Sequence, residues 1–345
     1  MTNTRKPFGL TRRHFLAATA AASAAVPLVG IIGRANAAEF SYKLATGQDP
    51  THPVNKRAQE AAERVLKASN GRLDIKVFPA NQLGSDTDLL AQVRSGGVEL
   101  FNLSTSILAT LVPVAGIYNT GFAFPDYDHV WKATDGALGN YIRDQIGKAG
   151  LVAPIKIWDN GFRQITSSTR EIKTPDDLKG FKIRVPPAPM LTSVFKSLEA
   201  SATPINFNEL YSALQTKVVE GQENPLAITA SARLYEVQKY CSMTGHVWDG
   251  YYILGNRRAW AALPDDLKAL VVKEFDQSGM DERADIAALS QSLRQDLTSK
   301  GMTFIDVDRE KFRAALSKTP FYADWKGKYG AEAWGLLEAA VGKLA

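Results

Sequence analysis

Cysteine is almost missing from this chain: Cys241 stands alone among 345 residues. An internal disulfide is therefore impossible and a disulfide scaffold is excluded. With no His or acid at a telling spacing, Cys241 reads as a small buried hydrophobe rather than a nucleophile. The strings HExxH, CxxC, GxSxG, GxGxxG and GxxxxGK[ST] are all absent. Metalloprotease, zinc-ribbon, serine-hydrolase, dinucleotide and P-loop readings lose their sequence support with them. The apolar fraction of 45% and the 26 glycines rule out intrinsic disorder and a collagen-like fibre, and the length allows about two domains.

Charge of one sign is also lacking, once the excess is located. The net charge of +5 and the pI of about 9.1 invite a nucleic-acid reading. All of that excess lies in Arg5, Lys6, Arg12, Arg13 and Arg34, ahead of the first acid, Glu39; beyond them 36 basic residues meet 36 acidic ones. No nucleic-acid partner is expected. The first 37 residues have the layout of an export signal: a basic start, an Ala-rich apolar stretch from Phe15 to Ile32, and Ala35-Asn36-Ala37 as a small-residue cleavage site. Cleavage is expected after Ala37. Thr11-Arg12-Arg13-His14-Phe15-Leu16 is similar to the twin-arginine signal. A retained anchor is the alternative, opposed by Thr19, Ser23, Pro27 and Gly30 and by the cleavage pattern. Beyond the leader no apolar run reaches the roughly 18 residues a span requires, so the mature chain is expected to be soluble in the periplasm.

What is there is a repeating strand–helix pattern. Phe40–Leu44 alternates as a strand, Pro53 to Ala68 is helical with Pro in its first turn, and Asn70-Gly71 ends it. Leu73, Ile75 and Val77 form a second strand, Asp86 is a candidate N-cap for a helix carrying Leu89, Leu90 and Val93, and Val98–Leu103 is a third strand. A second set starts near Leu151. Ile155–Trp158 reads as a strand, Asp159-Asn160-Gly161 as a turn and Arg163–Ser167 as the returning strand. Thr174-Pro175-Asp176-Asp177-Leu178 caps a short helix, Phe181–Val185 is a strand, and Leu210, Leu214 and Val218 share one face of a helix over Glu209 to Val219. Asp265 to Lys300 suits one or two helices running along both halves. The expected class is α/β, with two α/β domains, crossing strands and a long helix between them, and a ligand cleft at their interface. The domains are expected at 38–160 plus about 250–289, and at 161–249 plus about 290–345.

Asn160-Gly161-Phe162-Arg163, Lys182-Ile183-Arg184-Val185, Ile205-Asn206-Phe207 and Gly221-Gln222-Glu223-Asn224-Pro225 place polar residues at element ends, where such a cleft lies. Arg163 and Arg184 can present two planar forks to one carboxylate. Asn224 adds an amide, and Phe207 a flat wall. Alternatively one arginine is solvated and the other is paired with Asp159 or Asp177.

From Phe40 to about Lys318 the chain resembles the DctP-type solute-binding receptors of tripartite ATP-independent periplasmic (TRAP) transporters. The resemblance is carried by Gln82-Leu83-Gly84, by Asn160–Gln164 followed by Ser167-Ser168, and by Asp177–Pro186. Tyr211–Thr216, Gly221–Pro225 and Tyr235–Tyr240 add to it. It implies a periplasmic-binding-protein-like clamshell in which Arg184 binds the substrate carboxylate bidentately, assisted by Arg163, Asn224 and Phe207. It also implies partners, the small and large integral membrane subunits, and transport driven by an ion gradient. No cofactor, metal or catalytic residue is expected.

For the rest of the ligand, the loop after the first strand offers Gln48 and Asp49, the third strand Asn102 and Ser104, and the crossover His246–Tyr251 an aromatic, Trp248, and a carboxylate, Asp249. A second ligand carboxylate needs another cation, and Asp49 or Asp249 repels it. Hydroxyls suit Asp, Asn and Gln, and a sugar face suits Trp. The expected ligand is a monocarboxylic sugar acid, a uronate such as galacturonate or glucuronate, with a C4-dicarboxylate second. Trp248 and Trp158 can equally be core residues. A periplasmic lyase or hydrolase with Asp249 or Glu223 as base, or a sensor docking on a signalling protein, are the other classes.

Overall fold

In the computed structural model, which describes Met1 and residues 38–344, the chain is built on one mixed sheet of ten strands. The leader motifs at Thr11–Leu16, Phe15–Ile32 and Ala35–Ala37 lie outside the described residues. The strands are β1 (Phe40–Thr46), β2 (Leu73–Phe78), β3 (Leu100–Ser104), β4 (Leu151–Val152), β5 (Trp158–Ser167), β6 (Lys182–Val185), β7 (Ser201–Pro204), β8 (Gly221–Asn224), β9 (Tyr240–Asn256) and β10 (Thr303–Asp306). Their order is β2-β1-β3-β9-β5-β8-β6-β7, with β4 and β10 also on β9. Pairing is parallel on both flanks, β2-β1-β3 and β8-β6-β7, and antiparallel where β9 and β5 join them.

The first flank follows the expected strand–helix–strand pattern. Pro53 opens the helix Pro53–Ala68 at its first turn, His52 Nδ1 accepts the Val54 N–H, and Asn70 and Gly71 leave it at positive φ. Val54, Ala58, Ala61, Ala62 and Val65 are its buried stripe, packed with Leu44, Leu73 and Ile75 of the strands. The next helix, Asp86–Ser95, differs from expectation at its start. Ser85 is the N-cap, in a reciprocal capping box with Asp88, and this frees the carboxylate of Asp86 for other work.

Two other elements differ. Ile155–Ile157 is not a strand, and Asp159-Asn160-Gly161 is not a turn: β5 runs straight through these residues with a bulge against β9 between Asp159 and Gly161. Gly161, at φ 111°, absorbs the extra residue, because the backbone freedom that makes Asn-Gly a turn signal also permits a bulge. The helix expected over Glu209 to Val219 runs over Phe207–Gln215 instead. Lys217 at φ 59° breaks it, so Val218 is 61% exposed while Val219 is buried.

Asp265–Ser299 is a single helix of 35 residues that packs on Pro53–Ala68, on β5, on the helix Leu226–Ser231 and on β10. It crosses β5 at Trp158, where a Cβ on Gly279 would stand 2.5 Å from Trp158 Nε1. Beside that crossing lie two buried acids. The Asp159 N–H donates to Glu282 Oε2 at 2.9 Å, and Trp248 Nε1 donates to Asp159 Oδ1 at 2.8 Å. Burial raises the Asp159 carboxyl to about 7 and holds Glu282 well above the carboxylate range.

Candidate functional site

β8 lies between β5 and β6, so the short segment Gly221–Asn224 carries its side chains between an arginine on each side. Arg163 and Arg184, together with Asn224 and Phe207, line one cleft. Gln48 and Ser104 line it from the β1 and β3 ends. These strand ends converge at the sheet's centre, where an α/β sheet offers a crevice.

The two arginines are not equivalent. Arg163 is buried and spent within the chain: Nε and Nη2 grip the Glu223 carboxylate at 2.5 and 2.8 Å. Nη2 also reaches the Glu223 carbonyl at 2.7 Å and Asn224 Oδ1 at 3.0 Å, and Nη1 lies 3.4 Å from Asp249 Oδ2. That leaves one Nη1 hydrogen for anything in the cleft. The alternative, one arginine paired with Asp159 or Asp177, gives way to a pairing of Arg163 with Glu223 and Asp249. His246 Nε2 sits 3.1 Å from Glu223. Burial works to raise Glu223, but Arg163 and His246 bring it below its usual range, so it is the anion the arginine needs.

Arg184 has no such anion. It is 1% exposed, Nε donates to the Ile205 carbonyl at 2.9 Å, and no ion pair reaches it among the described residues. Burial lowers it to about 10. A buried guanidinium with its terminal nitrogens aimed into a cleft and no internal carboxylate is costly on its own, and an incoming carboxylate relieves that cost with two charge-assisted hydrogen bonds. Asn224 donates one amide hydrogen to Gln222 Oε1 at 2.5 Å and keeps the other. Phe207 begins its helix half-buried and supplies apolar wall.

Trp248 and Asp249 are placed differently from the cleft-facing expectation. Trp248 is 1% exposed, edge-on to Tyr118, Phe124 and Trp131 and bonded to Asp159, so it is a core residue and does not line the cleft. β9 is buried on both faces over this stretch, so alternation does not tell a core side chain from a cleft one. Asp249 lies behind the lining: its carboxylate accepts from Ser104, Thr105 and Ser106 hydroxyls and from Asn119 and Asn160 amides. Asn160, within one of the segments expected at the cleft, also lines it, and the cleft residues that sequence reasoning missed include Asp86 and Tyr251. Asp86 was hidden by its resemblance to a helix cap; the Gln82-Leu83-Gly84-Ser85 turn just ahead of it was the available signal. Next to it, Asn206 Nδ2 donates to Thr87 Oγ1 at 3.2 Å, tying the segment before Phe207 to the helix that starts at Asp86.

The arrangement is that of a known group. Residues 44–325 match the family DctP, bacterial extracellular solute-binding protein family 7. An uncharacterized protein of Sinorhizobium fredii is 34% identical over 90% of this chain, and the chain spans 57% of that relative's length. Among solved structures, the sugar acid binding protein DctPAm from Advenella mimigardefordensis in complex with galactonate superposes with a TM-score of 0.83 at 32% identity, covering 87% of this chain and 97% of that one. A TRAP periplasmic solute binding protein from Sulfurospirillum deleyianum with bound succinate gives 0.83 at 28% identity, covering 88% and 99%.

Proposed function

The chain belongs to the DctP family of extracellular solute-binding proteins, and from that premise we propose that its cleft takes a sugar acid, with the acid's carboxylate on Arg184. It is a receptor for small organic acids and not an enzyme. The observation that carries the site assignment is the ion-pair inventory: Arg163 is neutralised by Glu223, and Arg184 is the cation left for a ligand. Asn224 and the remaining Nη1 hydrogen of Arg163 assist. The galactonate-bound relative and the oxygen-rich lining support a sugar acid; the succinate-bound relative keeps a C4-dicarboxylate as the competing ligand.

The proposed lobes, 38–160 with about 250–289 and 161–249 with about 290–345, hinge across β5 and β9, and the Thr87–Asn206 bond joins them when closed. Closure removes the carboxylate from water and strengthens its pairing with Arg184. Occupancy thereby becomes a shape that small and large membrane subunits can read. No described helix is long and apolar enough to cross a membrane. Members of the family are periplasmic, and the twin-arginine route is the export path proposed here. A double Arg12→Lys, Arg13→Lys chain should stay in the cytoplasm with its leader uncut, as read by mass after fractionation.

A thermal-shift screen over galacturonate, glucuronate, galactonate, succinate and malate tests the ligand. An acid at about 100 times its dissociation constant adds about 2.7 kcal/mol of stability. Shifts with sugar acids support the proposal. Shifts with succinate or malate alone replace it with the dicarboxylate reading.

A further inference from the structure

Apart from its arginines, Asn224 and the Tyr251 hydroxyl, the polar side chains of the cleft lining have donors engaged within the chain or carry none. Gln48 is 8% exposed; its Nε2 donates to the Tyr251 hydroxyl at 2.9 Å, and its Oε1 is buried without a partner. Asn160 is 2% exposed; its Nδ2 donates to Asp249 at 3.1 Å, and its Oδ1 is likewise buried and unpartnered. Ser104 and Ser106 donate their hydroxyls to the same carboxylate, at 2.5 and 3.3 Å. Asp86 is 7% exposed and accepts from Asn81 at 2.9 Å, its only side-chain hydrogen bond among the described residues.

The Asn160, Ser104 and Ser106 bonds have one cause: Asp249 is fully buried behind the lining and acceptor-only, and their donors turn toward it, whereas the Gln48 amide is turned by Tyr251 and Asp86 is engaged by Asn81. An amide has two ends, and drawing the donor ends of Asn160 and Gln48 into the chain leaves their oxygens without a partner, in side chains that line the cleft. Buried acceptors without partners are rare in folded proteins and costly where they stand. A ligand that brings hydroxyl hydrogens satisfies them. One that brings a second carboxylate meets Asp86 and two lone oxygens with no further free cation.

We propose that Gln48 Oε1, Asn160 Oδ1 and the Asp86 carboxylate form an acceptor surface in the cleft wall that reads the hydroxyls of a polyhydroxy monocarboxylate and turns away dicarboxylates, and that Asp249 is the positioning residue that sets its Asn160 part. This rests on the carboxylate reading of Arg184. It adds which residues select, and why a charge that never touches the ligand contributes to selection.

The test is calorimetric titration of the purified chain and its variants with galactonate and with succinate. The unsubstituted chain should bind galactonate at least about tenfold more tightly, the scale of one unpaired buried acceptor; equal or tighter succinate binding overturns the proposal. Asn160→Ala should lose about tenfold on galactonate and little on succinate. Asp86→Asn, which keeps shape and removes charge, should narrow the galactonate-to-succinate ratio about tenfold. Asp249→Asn, which gives the inward donors a weaker acceptor and competes with an amide, should narrow it as well. If that variant does not fold, Asn160→Ala and Asp86→Asn decide. Unchanged ratios in the folded variants overturn the proposal. Failure of the carboxylate reading looks different: Arg184→Ala then binds both acids as the unsubstituted chain does, or neither acid gives heat, and the selectivity inference falls with it.

Discussion

Glu223 Oε2 and Oε1 hold Nε and Nη2 of Arg163 at 2.5 and 2.8 Å, across neighbouring antiparallel strands and with both side chains buried. Glu223→Gln strips the arginine of the nearer of its two counter-charges, leaving Asp249 at 3.4 Å, in a place where water cannot replace it. Breaking a buried pair from one side costs about 3–5 kcal/mol. Denaturant unfolding of the ligand-free chain should show a loss of that size, and a loss under about 1 kcal/mol would mean that Arg163 is not held as described.

Arg184 should behave in the opposite way. Arg184→Ala is expected to cost about 2–5 kcal/mol of ligand binding, and Arg184→Lys should also weaken it, since a point charge does not replace a planar fork. The same arginine, buried and without an anion, is a burden on the empty protein. Arg184→Met should therefore raise the melting temperature of the ligand-free chain while abolishing the ligand-induced shift. A lower melting temperature would show that Arg184 has structural partners that matter more than its desolvation.

Stability should depend on pH through the acids at the helix crossing. Burial holds Asp159 at about 7 and Glu282 well above the carboxylate range, whereas in the unfolded chain both return to ordinary values. Between the unfolded and folded values the native state binds more protons, so stability falls as pH rises. Unfolding free energy should decline from about pH 5 towards pH 8, and Asp159→Asn should flatten that slope. An unchanged slope in the variant would remove Asp159 as its source.

Gly279→Ala offers a test in which two rules give opposite signs. Helix propensity alone favours alanine by about 1 kcal/mol. The added methyl, however, would stand 2.5 Å from Trp158 Nε1 and 2.7 Å from Cδ1, on a fully buried ring. Overpacking of that kind costs about 1–3 kcal/mol, so thermal unfolding should show a net loss.

The parts of this molecule that were legible in its sequence are those fixed locally. Pro53 and Asn70-Gly71 bracket a helix whose ends depend only on nearby residues, and Thr174 with Asp177 closes its own short turn through hydrogen bonds within a few residues. Asn160-Gly161 was legible as a place where the backbone bends, but choosing bulge over turn depends on β9, far along the chain. Period-2 alternation gave no guide to Trp248, because β9 is covered on both faces. The site was legible as a set of residue types and motifs. Spacing did not tell which arginine is free, and only the family resemblance pointed to Arg184, because Glu223 and Arg163 meet only once β8 has paired with β5. The unpartnered oxygens of the lining were hidden for the same reason: Asn160 meets Asp249, and Gln48 meets Tyr251, only when distant stretches of chain come together.

The seventeen residues of β9 pair with β3 and β4 at one end and with β10 at the other, and with β5 along much of the length between. A gene cut anywhere within that strand leaves each fragment with an unfinished sheet, so split-protein reassembly is closed to this receptor there. Reporter domains for following ligand uptake belong instead in the surface connections between helices, where no ladder of the shared strand is interrupted.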